Sequence, residues 1–280
     1  MKANIQRGAA LLFATAEFRK LVCTGMLPPE RIGKKKTPIC ATAYKYMFNA
    51  CRIPHREQDT YRIYDPSRYN HCIIARKGHF FSVTVVDEQG DALPVHVLEA
   101  QLQQCIELAG RIPSSTPKLG LMTSGNRNDW ADARDQLLDS GGLAMKQALD
   151  ELESGAILLN LDDESPVSRQ ECGDLFWTGG LKSGGNRWFD KSIQIMVSNN
   201  GKAGGIAEHS MMDGMPVVVY YDYITKVTYA EAIRRSRSQP VSIPIVRDIF
   251  SRSLSQVDTA LVEALETKGK IAIFVGGCWG

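Results

Sequence analysis

The chain has 280 residues, with 33 lysines and arginines against 31 aspartates and glutamates, a formal net charge of +2. At roughly 150 residues per domain that is one large domain or two modest ones, long enough in either case to bury a real core. A hydrophobic fraction of 44% and a charged fraction of 23% exclude a disordered or fibrous chain, and the near-neutral balance removes any general electrostatic reason to bind nucleic acid. Lys34-Lys35-Lys36 and Arg234-Arg235 are short local runs that read as solvated loop. The cysteines (Cys23, Cys40, Cys51, Cys72, Cys105, Cys172 and Cys278) never form a C-x-x-C pair. Scattered singly, they read as buried thiols in a reducing compartment, neither a disulfide framework nor a zinc site. No run of about 18 apolar residues is present, so no membrane span is expected.

In chain order, Ile5, Ala9, Leu12, Phe13, Ala16 and Leu21 have the spacing of a core-facing helix over 1–22. The basic balance of that segment would also suit a mitochondrial transit peptide. Gly25 to Pro38 reads as loop, and a second helix is expected from Thr42 to Cys51, stopped before Pro54. Cys72 to Ala75 and Phe80 to Val86 read as strands joined at Lys77-Gly78, with a turn at Asp87 to Gly90. Pro94 opens a helix through Leu108. Two more helices, Asn128 to Leu138 and Leu143 to Leu152, are broken at Gly141-Gly142. Ala156 to Leu161 is an apolar strand, and Ser168 with Glu171 three residues on has capping-box spacing. Ser192 to Val197, Asn199-Asn200-Gly201 and Ala203 to Ala207 spell a hairpin. Pro216 to Tyr223 suits strand or helix equally. Ser236 to Pro244 reads as loop and Val257 to Leu265 as helix. Intermixed strands and helices put the chain in the α/β or α+β class.

Four of the five histidines are plain: His71 and His79 flank strands, His96 sits near a helix start and His55 follows a proline. No two lie at i, i+4 and none pairs with cysteine at ligand spacing, so no metal site is expected. His209 differs. It follows a strand inside Gly204-Gly205-Ile206-Ala207-Glu208-His209-Ser210-Met211-Met212-Asp213-Gly214. A strand end feeding a glycine-flanked loop can hold a polar side chain at a cleft. Asp213, four residues on, can orient an imidazole or hold its charged form. Spacing alone leaves a catalytic pair and a chance neighbourhood both open. Gly184-Gly185-Asn186-Arg187 lacks the endings of a phosphate-binding loop and reads as a tight turn with a local Arg187–Asp190 pair. Ser210 is outside any G-x-S-x-G elbow.

Asn186-Arg187-Trp188-Phe189-Asp190-Lys191-Ser192, followed by Glu208-His209-Ser210-Met211-Met212-Asp213-Gly214, resembles the paired signature of the choline/carnitine acyltransferase family. Cys51-Arg52-Ile53-Pro54 with Gln58-Asp59-Thr60, Gly78-His79-Phe80-Phe81, and Leu121-Met122-Thr123-Ser124 with Asn126-Arg127 and Trp130-Ala131 resemble further blocks in the family's order. The resemblance extends from about Asn4 to Gly269, which assigns the first helix to the body of the fold. The Glu208–Gly214 block is most similar to carnitine acetyltransferases of fungal type.

The resemblance implies an α/β fold of chloramphenicol acetyltransferase type, a mixed sheet with flanking helices, of which this chain is the histidine-bearing half of two. Residues 1–269 would be that domain and 270–280 an unrelated tail. It implies acyl transfer, acetyl or short acyl, between coenzyme A as co-substrate and the hydroxyl of carnitine. His209 would be the general base, Asp213 the supporting acid, and Arg187 and Asp190 the scaffold behind them, with no permanent cofactor. A choline or longer-chain carnitine acyltransferase, or a non-catalytic remnant, is the alternative. The expected state is a monomer, mitochondrial or peroxisomal, without a targeting signal in this chain and inactive by itself, because the family's coenzyme A segment and oxyanion block have no counterpart here.

Overall fold

The computed structural model describes residues 3–236, 241–257, 259–265 and 267. Helix α1 (Ala3–Cys23) opens the chain. Two short ribbons follow, β1 (Arg31–Ile32) with β2 (Thr37–Pro38) and β3 (Ala50–Ile53) with β4 (Thr60–Ile63). Then come the hairpin β5 (His71–Arg76) and β6 (His79–Thr84), helices α2 (Val95–Arg111) and α3 (Arg127–Ser154), and strand β7 (Leu158–Leu161). Helices α4 (Arg169–Thr178) and α5 (Gly180–Ser183) lead to the hairpin β8 (Ile193–Val197) and β9 (Ala203–Ala207). The described chain closes with α6 (Gly214–Lys226), α7 (Tyr229–Arg235), β10 (Arg247–Asp248) and α8 (Ser251–Leu254), and residues 259–265 are helical.

Six strands form one mixed sheet in the order β10-β6-β5-β7-β8-β9. The centre, β5-β7-β8, is parallel, and β6, β9 and β10 add antiparallel flanks. The pleat sorts the apolar residues onto two faces. Cys72, Ile74, Leu159, Leu161, Ile193, Ile195 and Val197 face one core, roofed by α1, α2, α6 and α7. Ile73, Ala75, Phe80 and Leu158 face the other, filled by α3 and Trp188. This is α/β with helices on both faces, as expected.

The first helix is buried on almost every side, with Asn4, Thr15 and Arg19 enclosed beside the apolar residues. The expected core stripe is part of a helix wedged between the sheet and its neighbours. Gly8 permits the approach, since a Cβ there would stand 3.1 Å from Leu102 Cδ1 and 3.7 Å from Leu159 Cδ2. The hairpin turn at Lys77 (φ 54°) and Gly78 (φ 79°), the break at Gly142 (φ 52°) and the capping box at Ser168 and Glu171 all occur where the residues placed them. Pro216 to Tyr223 is helical. Asp213 caps that helix and Pro216 falls in its first turn, where a missing N–H costs nothing.

The expected helix from Thr42 to Cys51 is wrong. Only Thr42–Tyr46 winds, as a 3-10 turn. Asn49 then adopts φ 53°, and its side chain accepts from Arg19 Nε (3.0 Å) and donates to Ser154 O (2.8 Å). That left-handed, anchored residue ends the helix and starts β3. Helix α7 was not foreseen, although Thr228 caps it with Glu231 three residues on. The cysteine reading holds for Cys51, Cys72 and Cys105, which are buried, but Cys23 and Cys40 are exposed. Residues 237–240 of the expected loop and the whole 270–280 tail lie outside the described residues.

Candidate active site

β9 is the edge strand beside β8, with Ala207 opposite Ile193, so its end points to the amino-terminal ends of the parallel strands. A turn at 209–211 carries the chain from β9 into α6. Both sides of that turn are held. Before it, Glu208 N donates to Ser192 O (3.0 Å) and the Glu208 carboxylate, 8% exposed, meets Arg52 Nη1 at 2.9 Å. Glu208 Oε2 also accepts from Ser210 N (3.1 Å) and Ser210 Oγ (2.5 Å), closing the turn on itself. After it, Met211 and Met212 are buried, and the Asp213 carboxylate accepts from Gly214 N (2.6 Å) at the start of α6. The His209 side chain stands exposed on this clamped backbone, and its ring has no hydrogen bond or ion pair among the described residues.

Asp213 is therefore a helix cap on the far side of the turn, itself exposed, without a hydrogen bond to the imidazole. Next to the cap, α6 presents Met215 and Val218, 45% and 62% exposed and three residues apart, to solvent. These sit on one face of the helix.

Behind the turn lies a cluster of charges drawn from three distant segments, 52–59, 127–130 and 190. Asp190, 1% exposed, takes Arg52 Nε at 3.1 Å and Arg127 Nη1 at 2.8 Å on one oxygen, and accepts from Trp130 Nε1 (2.7 Å) on the other. Arg127 Nε also reaches Asp59 Oδ2 at 2.7 Å. Burial pushes the Asp190 carboxyl up, against the opposing pull of Arg127 and Arg52. The main chain joins in: Arg52 N donates to Asp190 O (2.8 Å), and Cys51 bridges Lys191 across the strand end. Arg52 is the link. It carries one charge contact to Asp190 and one to Glu208, so the position of the His209 turn is transmitted from a fully buried carboxylate.

The expected local pair of Arg187 with Asp190 does not form. Arg187 is fully buried and grips Asp162 with both Nη atoms, at 3.0 and 2.8 Å, while Nη2 also donates to Leu175 O (2.8 Å). Two flat guanidinium donors fit one carboxylate, and Asp162 at the end of β7 presents both oxygens. Lys191, 1% exposed, donates to Glu153 O (2.6 Å) and Ala50 O (3.2 Å), and burial pushes its ammonium down to about 8. Both residues hold elements together behind the turn.

Of the other histidines, His71 is buried with Nε2 2.8 Å from Glu151 O, while His55 and His96 are exposed. Among the described residues no group of three His, Cys, Asp or Glu side chains could hold a metal ion, and no helix is long and apolar enough to cross a membrane. Sequence reasoning singled out His209 and Asp213 but missed the Arg52–Glu208 contact. No local spacing announces it.

Residues 2–268 match the family model of the choline/carnitine O-acyltransferases. The chain is 25% identical over 253 residues to carnitine O-acetyltransferase of Homo sapiens, covering 87% of this chain and 40% of that one. It is 29% identical over 222 residues to the mitochondrial carnitine O-acetyltransferase of Saccharomyces cerevisiae, 78% of this chain and 32% of the relative. With mitochondrial carnitine O-palmitoyltransferase 2 of Xenopus tropicalis it shares 32% identity over 189 residues, 68% of this chain and 27% of the relative. The chain thus matches 40% or less of the length of each.

Proposed function

The chain belongs to the choline/carnitine O-acyltransferase family, and from that premise we propose that it carries the base of an acyl transfer between coenzyme A and the hydroxyl of carnitine, with His209 as that base. The observation that carries the reading is the His209 turn itself. An unpartnered imidazole, open to an incoming substrate, stands on a backbone fixed from both sides by Arg52 and by the start of α6.

The chemistry needs this combination. An alkyl hydroxyl is a poor nucleophile until a positioned base removes its proton, a contribution of roughly 10²–10⁴ in rate. His209 takes the proton from the carnitine hydroxyl as its oxygen attacks the thioester carbonyl. The tetrahedral intermediate collapses, the carbon–sulfur bond breaks, and the imidazolium returns the proton to the departing thiolate of coenzyme A. In reverse the thiol gives up the proton first. No covalent enzyme intermediate is involved. Asp213 acts through the loop, by fixing the helix start four residues after the base.

Residues 1–269 are the histidine-bearing half of a two-part fold of chloramphenicol acetyltransferase type, and the 270–280 sequence is unrelated to it. Exposed Met215 and Val218 beside the turn support a face covered by further protein. By itself the chain leaves His209 in open solvent, so it is inactive alone. It is a monomer and, in line with the mitochondrial relatives, mitochondrial or peroxisomal. The similarity to a palmitoyltransferase favours a second reading of the same site, a longer acyl chain. Thiol release from acetyl-, octanoyl- and palmitoyl-coenzyme A with carnitine tests both. The expected result is carnitine-dependent turnover only where residues 1–269 sit in a full-length framework, and its loss in His209→Ala. Turnover unaffected by His209→Ala overturns the proposal.

A further inference from the structure

At the other end of the sheet from His209, the carboxyl ends of β5 and β7 open into a cavity of about 540 Å³. Ligand pockets of roughly 300–1,000 Å³ are typical, and open α/β sheets take their ligands at the carboxyl ends of parallel strands. Lys77 from the β5–β6 turn, Lys118 from the loop after α2 and Lys182 from α5 converge there from three separate elements.

Lys118 is held in place. A Cβ on Gly78 would stand 2.7 Å from Lys118 Cγ, and one on Gly185 would stand 3.0 Å from Lys118 Cβ, so its stem lies across two glycines that leave room for it. Gly185, together with Gly78, thus acts here as a bed for a lysine. The acids on the cavity wall are largely engaged. Asp163 pairs with Arg76, and Glu164 accepts from Ser183 Oγ (2.8 Å). Three lysines and two acids line the cavity, and one of the acids, Asp163, is taken by Arg76.

His79 completes the wall. It is 8% exposed and lines the cavity, yet its ring makes no hydrogen bond among the described residues. A ring edge left open to the cavity can hydrogen-bond what enters it. Burial, with Lys118 and Lys77 close by, pushes its imidazole down to about 4, so near neutrality it offers one N–H and one lone pair.

The geometry points to a second ligand site: this cavity receives a small phosphorylated molecule of nucleotide size, with its phosphates among Lys77, Lys118 and Lys182 and its uncharged part against His79. The site is separate from the His209 turn and does not depend on the reaction proposed for it.

The test is titration of the full chain with inorganic pyrophosphate and with ADP, followed by calorimetry and by amide and imidazole resonances. Binding is expected to shift resonances at Lys77 to His79 and at Gly185 and Asn186, and to leave those of His209 to Asp213 in place. Because the anion offsets the lysines, the His79 imidazole should titrate higher in the complex. Lys118→Met keeps the stem and removes the charge, and Lys182→Met removes an exposed charge; each should weaken binding about tenfold, about 1.4 kcal/mol. His209→Ala should bind as the parent does. Tighter binding of ADP than of pyrophosphate supports a nucleotide, and equal binding supports a ligand read by its phosphates alone. No binding of either probe overturns the proposal. So does unchanged affinity in folded Lys118→Met and Lys182→Met, or resonance shifts confined to other surfaces.

Discussion

Arg52 Nη1 lies 2.9 Å from Glu208 Oε1, while the same guanidinium, through Nε, sits 3.1 Å from buried Asp190. The residue next to the proposed base is thereby tied to a buried carboxylate behind it. Glu208 is 8% exposed, so the pair is shielded from solvent screening in a way that surface ion pairs are not. Glu208→Gln should keep the shape and lose the charge. We expect a loss of about 1–3 kcal/mol in urea unfolding, with faster amide exchange concentrated at 209–212. Uniform exchange across the chain would show that the contact does not hold the turn.

Arg187 and Asp162, both fully buried, form the second rigid element. Removing one partner leaves an uncompensated buried charge, typically a cost of about 3–5 kcal/mol. Asp162→Ala is expected to lower stability by that amount, measured by chemical denaturation. Replacing both residues with apolar side chains should cost less than the single change. A loss below about 1 kcal/mol for Asp162→Ala would mean the pair is not dry.

The strand that leads to His209 tolerates no side chain at two positions. A Cβ on Gly205 would stand 2.2 Å from Tyr221 Oη, and one on Gly204 2.4 Å from Phe176 Cδ2. Gly205→Ala must displace Tyr221 and break its hydrogen bond to Ile206 O (3.1 Å). Overpacking of this kind costs typically about 1–3 kcal/mol. Gly205→Ala combined with Tyr221→Ala should recover part of that loss. A thermal melt in which the double variant is simply the sum of the two singles would contradict the clash.

Lys191 supplies a pH signature. Its folded value, about 8, lies below the ordinary 10.5, because burial disfavours the ammonium. Between those two values the unfolded chain holds a proton that the folded chain has released, so this group adds stability as pH rises through the window. Below about 8 the penalty is present in full. The span corresponds to about 3 kcal/mol by linkage. The stability difference between the parent and Lys191→Met should therefore move in the parent's favour from pH 8 to 10.5. A difference that stays flat across that range would place Lys191 in a solvated setting.

Local chemistry wrote most of the fold into the sequence. Lys77-Gly78, the Ser168–Glu171 box, the break at Gly142 and the Asn-Asn-Gly hairpin each act within a few residues, and each is where its chemistry requires. The Thr42 to Cys51 helix failed because Asn49 answers to Arg19 and Ser154, contacts made only once the chain has folded. The site divides the same way. His209 stands out beside its strand, whereas Arg52, Asp59, Arg127 and Asp190 come from three separate segments that meet only in three dimensions. The Arg187–Asp190 expectation shows the hazard of nearness in sequence: the buried fork at Asp162 made the better partner.

The most direct test of His209 as the base is acetyl transfer by a full-length enzyme in which residues 1–269 of this chain replace the matching part of the yeast carnitine O-acetyltransferase. Carnitine-dependent release of the coenzyme A thiol is followed with His209 and with His209→Ala, alongside circular dichroism to show that both fold. The account predicts a drop in kcat of roughly 10²–10⁴ with little change in KM for either substrate. A folded His209→Ala enzyme that keeps more than about a tenth of the parent rate would contradict it.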